Sequence, residues 1–494
     1  MSVTSIEPKG IVKILQNVPL DNSYSDTLTF SSLAEQETFF SGKTFQTVTQ
    51  FTPVRLQSVI RVPIESDRLY NCNYIMFQNS NFSTKWFYAF ITEINFVNVN
   101  LSEIHYEIDV MQTWYFDMKI QQCFVEREHA NSDGIGDNIV NENLELGDFK
   151  FSKHSTTEFF VSKGMVLVDS REPNAKMLGG VYNGVHYTYY MANQSGFESL
   201  RADIETVING SDEIIGIAMI PYGFVSNETV QGFVETKSYN ITKELYCAEI
   251  DGYAPKNNKL FTYPYNSMYI DNGQGGNAEF RIEFFSTDIC GFKIGATCNL
   301  NSESILIPQK YRGIENDVAD SLSLSGFPQC ATNTDLFLAW LAQNSVPLAM
   351  QGLSGGMTGN VLGLATSMVA TGAEIANQAL VKPTGVSGSN SANTCKYGMN
   401  ECFDFHFYNK HITKEYAKII DNYFSVFGYA TKKVKKPNIT GRKSWNYVKT
   451  QNAKITGKIP FNDLAKIKSI FNSGVTFWHG DFVGDYSRDN SITS

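Results

Sequence analysis

Carboxylates crowd one short stretch of the chain. Between residues 126 and 148 stand Glu126, Glu128, Asp133, Asp137, Glu142, Glu145 and Asp148, and Arg127 is the only Lys or Arg among them. Such a cluster could hold a divalent cation, or could supply the acid and base of a glycosidase. Its spacing lacks the D-x-[DN]-x-[DN]-G order of a calcium loop, and Gly134, Gly136 and Gly147 interrupt it. A solvated acidic loop at a domain boundary is the simpler reading.

Other reactive residues form no recognisable constellation. There is no G-x-S-x-G, H-E-x-x-H or phosphate-binding P-loop. The Gly-rich run DNGQGGN at 271–277 has no Lys-Ser/Thr after it, so a phosphate role is weak. His406 and His411 lie five apart in a strand-like stretch, without a Glu at helical spacing. The eight Cys form no C-x-x-C pair, so reduced and mostly buried thiols are expected, with no structural zinc. A Cys–His nucleophile assembled from distant positions stays open. The expectation is a protein without catalysis, cofactor or metal.

Two stretches carry physical chemistry of another kind. Lys432, Lys433, Lys435, Lys436, Arg442 and Lys443 form one basic cluster in a chain of net charge −10. It could contact DNA, face an acidic neighbouring subunit, or be a solvated hairpin tip. Residues 336–373 contain no Asp, Glu, Lys or Arg at all. Leu336, Leu338, Trp340, Leu341, Leu348, Met350, Leu353, Met357, Val361, Leu362, Leu364, Met368 and Val369 make this segment apolar. A membrane-spanning helix needs ~20 apolar residues, so the length suffices. Pro347 and six glycines make it a poor permanent anchor. Gly355, Gly359, Gly363, Ser367 and Thr371 recur every four residues, which on a helix is a stripe of small side chains allowing close packing. A buried helix pair, a flexible linker and a true anchor compete with an apolar segment sheltered in one state and exposed to lipid in another.

The elements that must carry these stretches are mostly strands. The chain has 494 residues, 13% of them aromatic, which predicts several β-leaning domains. Low basic content argues against a protein that grips nucleic acid, and an acidic conduit would let DNA slide. The N-terminal MSVTSIEPKGIV has no basic region followed by an apolar run, so synthesis and folding in the cytoplasm are expected. Residues 11–18 and 59–64 read as short strands, and 86–99 with 104–110 as a long antiparallel hairpin, because Ile104, Tyr106, Ile108 and Val110 alternate with polar residues. Residues 159–169 and 216–224 read as strands with a helix at 195–208 between them, and short strands return at 263–270, 279–285 and 291–298. Residues 382–394 are a Gly/Ser-rich arm. The end of the chain alternates strand 402–408, helix 413–427, strands near 429–434 and 445–459, a helix capped by Asn462, and strand 475–478. That order is βαββαβ, the ferredoxin-like pattern. The predicted fold is a β-rich, multidomain α+β protein with parts at 1–130, 131–250, 251–334, 335–400 and 401–494.

Several blocks carry a family likeness. YNCNYIMFQN, KWFYAFITE and HYEIDVMQTWYF near the N-terminus, and VKKPN, RKSWNYVKT and GVTFWH near the C-terminus, resemble the tail-knob (distal tail tube) proteins of small short-tailed phages that infect Gram-positive bacteria. The match spans roughly the first quarter and last fifth of the chain, and the middle looks shorter than in the best-known relatives. The resemblance implies a homohexameric tube in the virion's distal tail, joined to the proximal tail (lower collar) protein. Its wall would be built from both terminal segments, with the middle inserted. It further implies that hydrophobic loops, mapping here to about 335–381, plug a channel for double-stranded DNA and enter the host cytoplasmic membrane on contact. A tail-associated cell-wall hydrolase is the alternative. A free pore-forming toxin would be expected to carry a secretion signal.

Overall fold

The computed structural model describes residues 10–51, 58–79, 83–157, 163–169, 177–178, 181–182, 188–192, 214–221, 229–231, 234–273, 275–297, 303–325, 329–331 and 404–493. The chain divides into two compact units. Residues 1–145, 256–259 and 418–494 form the first, and 146–255 with 260–417 the second.

Among the described residues, the first unit is built on two larger sheets, with a small pairing of Lys119–Ile120 and Ile455–Thr456 beside them. One has six antiparallel strands in the order Thr44–Phe51, Gly10–Gln16, Cys72–Asn79, Ser83–Asn98, Leu101–Ile108, Val59–Val62. Its Cys72–Asn79 strand is apolar on both faces. Tyr74 and Met76 point into one core cluster and Ile75 and Phe77 into another, so the sequence shows an apolar run rather than alternation. The expected hairpin is present. Ile104 and Tyr106 are buried, His105 is half-buried, and the register slips between Ile91 and Glu93 and between Phe96 and Asn98. A helix at Leu33–Gly42, unforeseen from the sequence, buries Phe40 against Tyr74 and Tyr88.

The other sheet joins the two chain ends. Its order is Asp26–Leu28, Val475–Trp478, Trp445–Gln451, Cys123–Glu128, Tyr429–Lys435. Asp26–Leu28 runs parallel to Val475–Trp478, and the remaining pairs are antiparallel. Helix Phe461–Ser473 buries Ile467, Ile470 and Phe471 in the cluster that also holds Leu15, Tyr74 and Phe90. It begins two residues earlier than expected, with Pro460 rather than Asn462 at the N-cap. It ends at Gly474, whose φ of 101° suits glycine.

The βαββαβ order of the C-terminal part is present, but the ferredoxin-like pattern does not close as one sheet. Its expected first strand, found at His406–Ile412, pairs in the second unit with Phe149–Thr156 and Asn266–Asp271. Cys123–Glu128 occupies the middle place instead, between Tyr429–Lys435 and Trp445–Gln451. Periodicity identifies a strand; it does not choose the partner.

Among the described residues, the second unit holds three larger sheets and a small hairpin, Met177–Leu178 with Val181–Tyr182. The first sheet is Phe149–Thr156, His406–Ile412, Asn266–Asp271, Asn277–Phe280. The second runs Val234–Thr242, Ile289–Thr297, Glu303–Tyr311, Ile314–Asn316, with Leu322–Ser325 also pairing Glu303–Tyr311. The third runs Thr229–Gln231, Thr188–Ala192, Lys163–Asp169, Ile214–Pro221, Gln329–Ala331. Phe292 packs against Phe280, Phe285 and Phe407, tying the first two of these sheets together. The helix expected at 195–208 lies outside the described residues. The architecture is β-rich and multidomain α+β.

Candidate functional site

Residues 336–373, with every apolar and small-stripe residue named above, lie outside the described residues, as do the whole arm at 382–394 and Cys402. What the structure describes is the frame on either side. The chain enters this region from Gln329–Ala331, which pairs with Ile214–Pro221 through Ile217 and Cys330. It returns into His406–Ile412. The returning end is pinned within the second unit. Thr157 donates its hydroxyl to the buried Asp404 carboxylate (3.0 Å), and the Phe405 N–H donates to Thr157 Oγ1 (3.1 Å). The Thr157 N–H donates to the Phe405 carbonyl at 3.2 Å. His406 stacks on His154 with a nitrogen–nitrogen hydrogen bond of 3.0 Å, and Phe407 stacks on Tyr239. Polar pairs and aromatic burial therefore hold residues 404–407 in the second unit.

The basic cluster is divided by the tertiary structure. Tyr429–Lys435 is an edge strand, and Lys432 sits at a bulge with a φ of 47°. Lys432, Lys433 and Lys436 are exposed. Lys435 pairs with the buried Glu128, and Lys443 with Asp489 at 3.0 Å. Arg442 is buried and donates to the carbonyls of Ala130 (3.2 Å) and Asn490 (3.4 Å). Four of the six cations thus face solvent, Lys443 within an exposed ion pair, while Lys435 and Arg442 are committed to folding. Lysines on an exposed edge also guard it against stray strand pairing.

Most of the acidic stretch is a loop, with Asp137, Glu145 and Asp148 exposed, but two of its carboxylates are buried rather than solvated. Glu128 is 1% exposed and Glu142 is 6% exposed. Glu142 sits between Arg127 and the Lys259 ammonium (2.5 Å), and it accepts the Ala430 N–H at 3.0 Å. Lys259 also donates to the Val140 carbonyl at 2.8 Å and lies over the rings of Phe424 and Tyr429. Burial pulls the Lys259 ammonium below its ordinary pKa, while Glu142 pushes it back up. Asp133 accepts from the Tyr429 hydroxyl (2.5 Å), and burial raises its carboxyl. Asp421 accepts the N–H groups of Lys256 (2.8 Å) and Asn257 (3.0 Å). The segment 256–259 is thereby fastened into the first unit. Sequence reasoning missed it, and its one signal was a Lys amid apolar and amide residues.

His129 belongs to the same region. Its Nε2 donates to the Ser425 carbonyl (3.1 Å) and its Nδ1 accepts the Tyr447 N–H (2.8 Å). Burial, and then the Arg442 charge, push its pKa down to about 3. The imidazole is held neutral as a structural bridge.

The buried carboxylates of the acidic stretch are consumed by ion pairs and backbone donors. Among the described residues, no three His, Cys, Asp or Glu side chains gather to hold a metal, and no helix is long and apolar enough to cross a membrane. Cys72, Cys123 and Cys290 are buried free thiols, and Cys247 is a half-buried one. Burial pushes the Cys72 thiol up to about 11. The Gly-rich run at 271–277 is a hairpin turn in which Asn272 accepts the Gly276 N–H and donates to the Ser323 carbonyl.

Comparison with known proteins places these features in a family. The family model of the C-terminal domain of the Bacillus phage phi29 tail knob protein gp9 matches residues 229–491, more than half of the chain. A model of the caudoviral major tail protein N-terminus matches residues 4–119. The tail knob protein gp9 of Bacillus phage phi29 is 25% identical over 97% of this chain and 98% of its own length. That of Bacillus phage PZA is 27% identical over the same shares. The solved structure of the bacteriophage C1 tail knob protein gp12 superposes with a TM-score of 0.68 at 17% identity, covering 98% of this chain and all of that one.

Proposed function

The chain belongs to the family of the phi29 tail knob protein gp9, and from that premise we propose that it forms a hexameric tube at the distal tip of a phage tail. In this reading the charge-free segment 336–373 plugs the channel and, on contact with a host, enters the cytoplasmic membrane to open a path for double-stranded DNA. One observation carries the reading. An uncharged segment too long for an ordinary connection is bracketed by two strands of the second unit, with residues 404–407 held firmly in that unit. Such a segment is cheaply sheltered in a crowded axial bundle, and once outside it prefers lipid to water. The net charge of −10 suits a conduit that must not retain DNA. The exposed Lys432, Lys433 and Lys436 would serve as contacts to DNA or to an acidic neighbouring surface. A proximal tail (lower collar) protein would hold the other end of the tube. Lipid, DNA and these protein neighbours are then the partners, and no cofactor is required.

The cell-wall hydrolase alternative draws no support from the relatives or from the acidic stretch, whose buried carboxylates already have partners. The test is dye release from liposomes by the full chain and by a chain lacking residues 336–382. Release that requires the segment supports the reading. Equal release by both proteins refutes membrane action by this segment.

A further inference from the structure

Four side-chain oxygens inside the second unit are sealed from solvent and have no protein partner: Asn266 Oδ1, Asn409 Oδ1, the Tyr246 hydroxyl and Ser155 Oγ. Asn266, Asn409 and Tyr246 are at most 1% exposed. A buried polar group left unpaired carries its full desolvation cost, so four together call for an explanation.

Strand register gathers them. His406–Ile412 lies between Phe149–Thr156 and Asn266–Asp271. Across these pairs Ser155 stands opposite Phe407, Ser152 opposite Asn409, and Asn266 opposite His411. Side chains opposite one another share a face, as do alternate residues along a strand. Ser155, Asn409 and Asn266 therefore project from the same face, one from each strand, with Asn409 midway between the other two. Tyr246, in the short helix Lys243–Cys247, spans them. Its carbonyl accepts from Asn266 Nδ2 at 2.7 Å, which fixes that amide so that Oδ1 is the atom without a partner. Its hydroxyl lies close to Ser155, without a hydrogen bond of good geometry between them. The tyrosine thus crosses the middle strand at Asn409.

The four groups define their ligand. Both amide oxygens can only accept, and each hydroxyl can donate one proton and accept another. Burial pushes the Tyr246 hydroxyl well above its ordinary pKa, so it keeps its proton. A small neutral molecule that donates and accepts satisfies the set, and water does both. A metal cation suits the oxygens but not the charge. None of the four is ionised, and burying an uncompensated charge is far costlier than burying a neutral molecule.

We propose that Asn266, Asn409, Tyr246 and Ser155 form a binding site for internal water, which fastens the Lys243–Cys247 helix to the three strands beside it. The water donates to the two amide oxygens and accepts from the two hydroxyls. Ser155 and Asn266 stand two strand spacings apart, roughly 10 Å at the backbone, a span that one water or a hydrogen-bonded pair covers. Nothing in the site depends on assembly, so it is expected in single copies and rings alike.

The test uses the full chain. Tyr246→Phe keeps the ring and removes only the hydroxyl. A hydroxyl bonded to water makes the variant melt lower, by roughly 2–4 °C in calorimetry. A hydroxyl that is merely buried makes Tyr246→Phe melt at the same temperature or higher, which overturns the site. A crystal structure of the wild-type chain that resolves ordered water is expected to show a peak ~2.7–3.2 Å from Asn409 Oδ1 and from a second of the four oxygens. Direct bonds among the four, with no peak beside Asn409, overturn the proposal even where Tyr246→Phe is destabilising. Crystals grown in rubidium chloride separate water from a monovalent cation, and an anomalous rubidium peak at the site overturns the assignment of water.

Discussion

Removing the Lys259 ammonium should loosen the first unit, and removing Glu142 as well should cost less than the two single losses added together. Both side chains are 2% exposed, and Glu142 is shared between Lys259 and Arg127. Breaking a buried ion pair by deleting one partner costs ~3–5 kcal/mol. Lys259→Met leaves Glu142 its Arg127 and its Ala430 N–H, and places an apolar chain between Phe424 and Tyr429. The expected cost is therefore at or just below the lower end of that range, about 2–3 kcal/mol. Glu142→Gln strands two cations rather than one anion, so about 4 kcal/mol is expected. In the double variant Arg127 still donates to the Gly428 carbonyl and lies over Tyr423. A coupling of about 2 kcal/mol should then appear in the cycle. Urea unfolding followed by tryptophan fluorescence measures it, because Trp86, Trp114, Trp445 and Trp478 all lie in the first unit. Replacing Trp340 by Phe in the background makes the signal specific to that unit. Single costs that simply add to within ~0.5 kcal/mol would refute the reasoning.

Three further outcomes follow from the same structure. His129 has a folded pKa of about 3 against an ordinary 6.5, so the unfolded chain binds a proton that the folded one refuses as pH falls below 6.5. Its contribution is complete above that pH and should shrink by about 2 kcal/mol between pH 7 and pH 5. Asp109 acts in the opposite sense between about 6 and 3.8, because burial raises its carboxyl to about 6. The comparison must therefore be wild type minus His129→Gln at each pH, and a difference that does not vary with pH would contradict the assignment. Gly428 has a φ of +64°, and a Cβ there would meet the Glu128 carbonyl oxygen at 2.2 Å. Gly428→Ala should cost more than the ~1 kcal/mol of a strain-only site, read as a lowered urea midpoint. Finally, a charge at mid-segment should oppose lipid insertion by ~2.5–3.5 kcal/mol. Leu362→Asp or Val361→Lys should abolish dye release while ring size on a sizing column is unchanged, and undiminished release would count against the membrane role.

Element types were largely legible in the sequence, since they depend on neighbours a few residues away. The alternation around Ile104 and Tyr106 specified a half-buried strand. The spacing of Ile467, Ile470 and Phe471 specified one helix face, and Gly474 its end. The absence of charge in 336–373 is likewise a property of sequence, and with the family blocks it directs the functional reading. Tertiary structure decided what depends on distant partners. Cys123–Glu128 was placed between Tyr429–Lys435 and Trp445–Gln451, while His406–Ile412 was sent to another sheet. The partners of Glu142 and Glu128 lie more than a hundred and three hundred residues away, at Lys259 and Lys435. Local composition could only present those acids as solvated. Burial of a charge is decided by whether folding brings a counter-charge to it, and that is a property of the assembled chain rather than of any window along it.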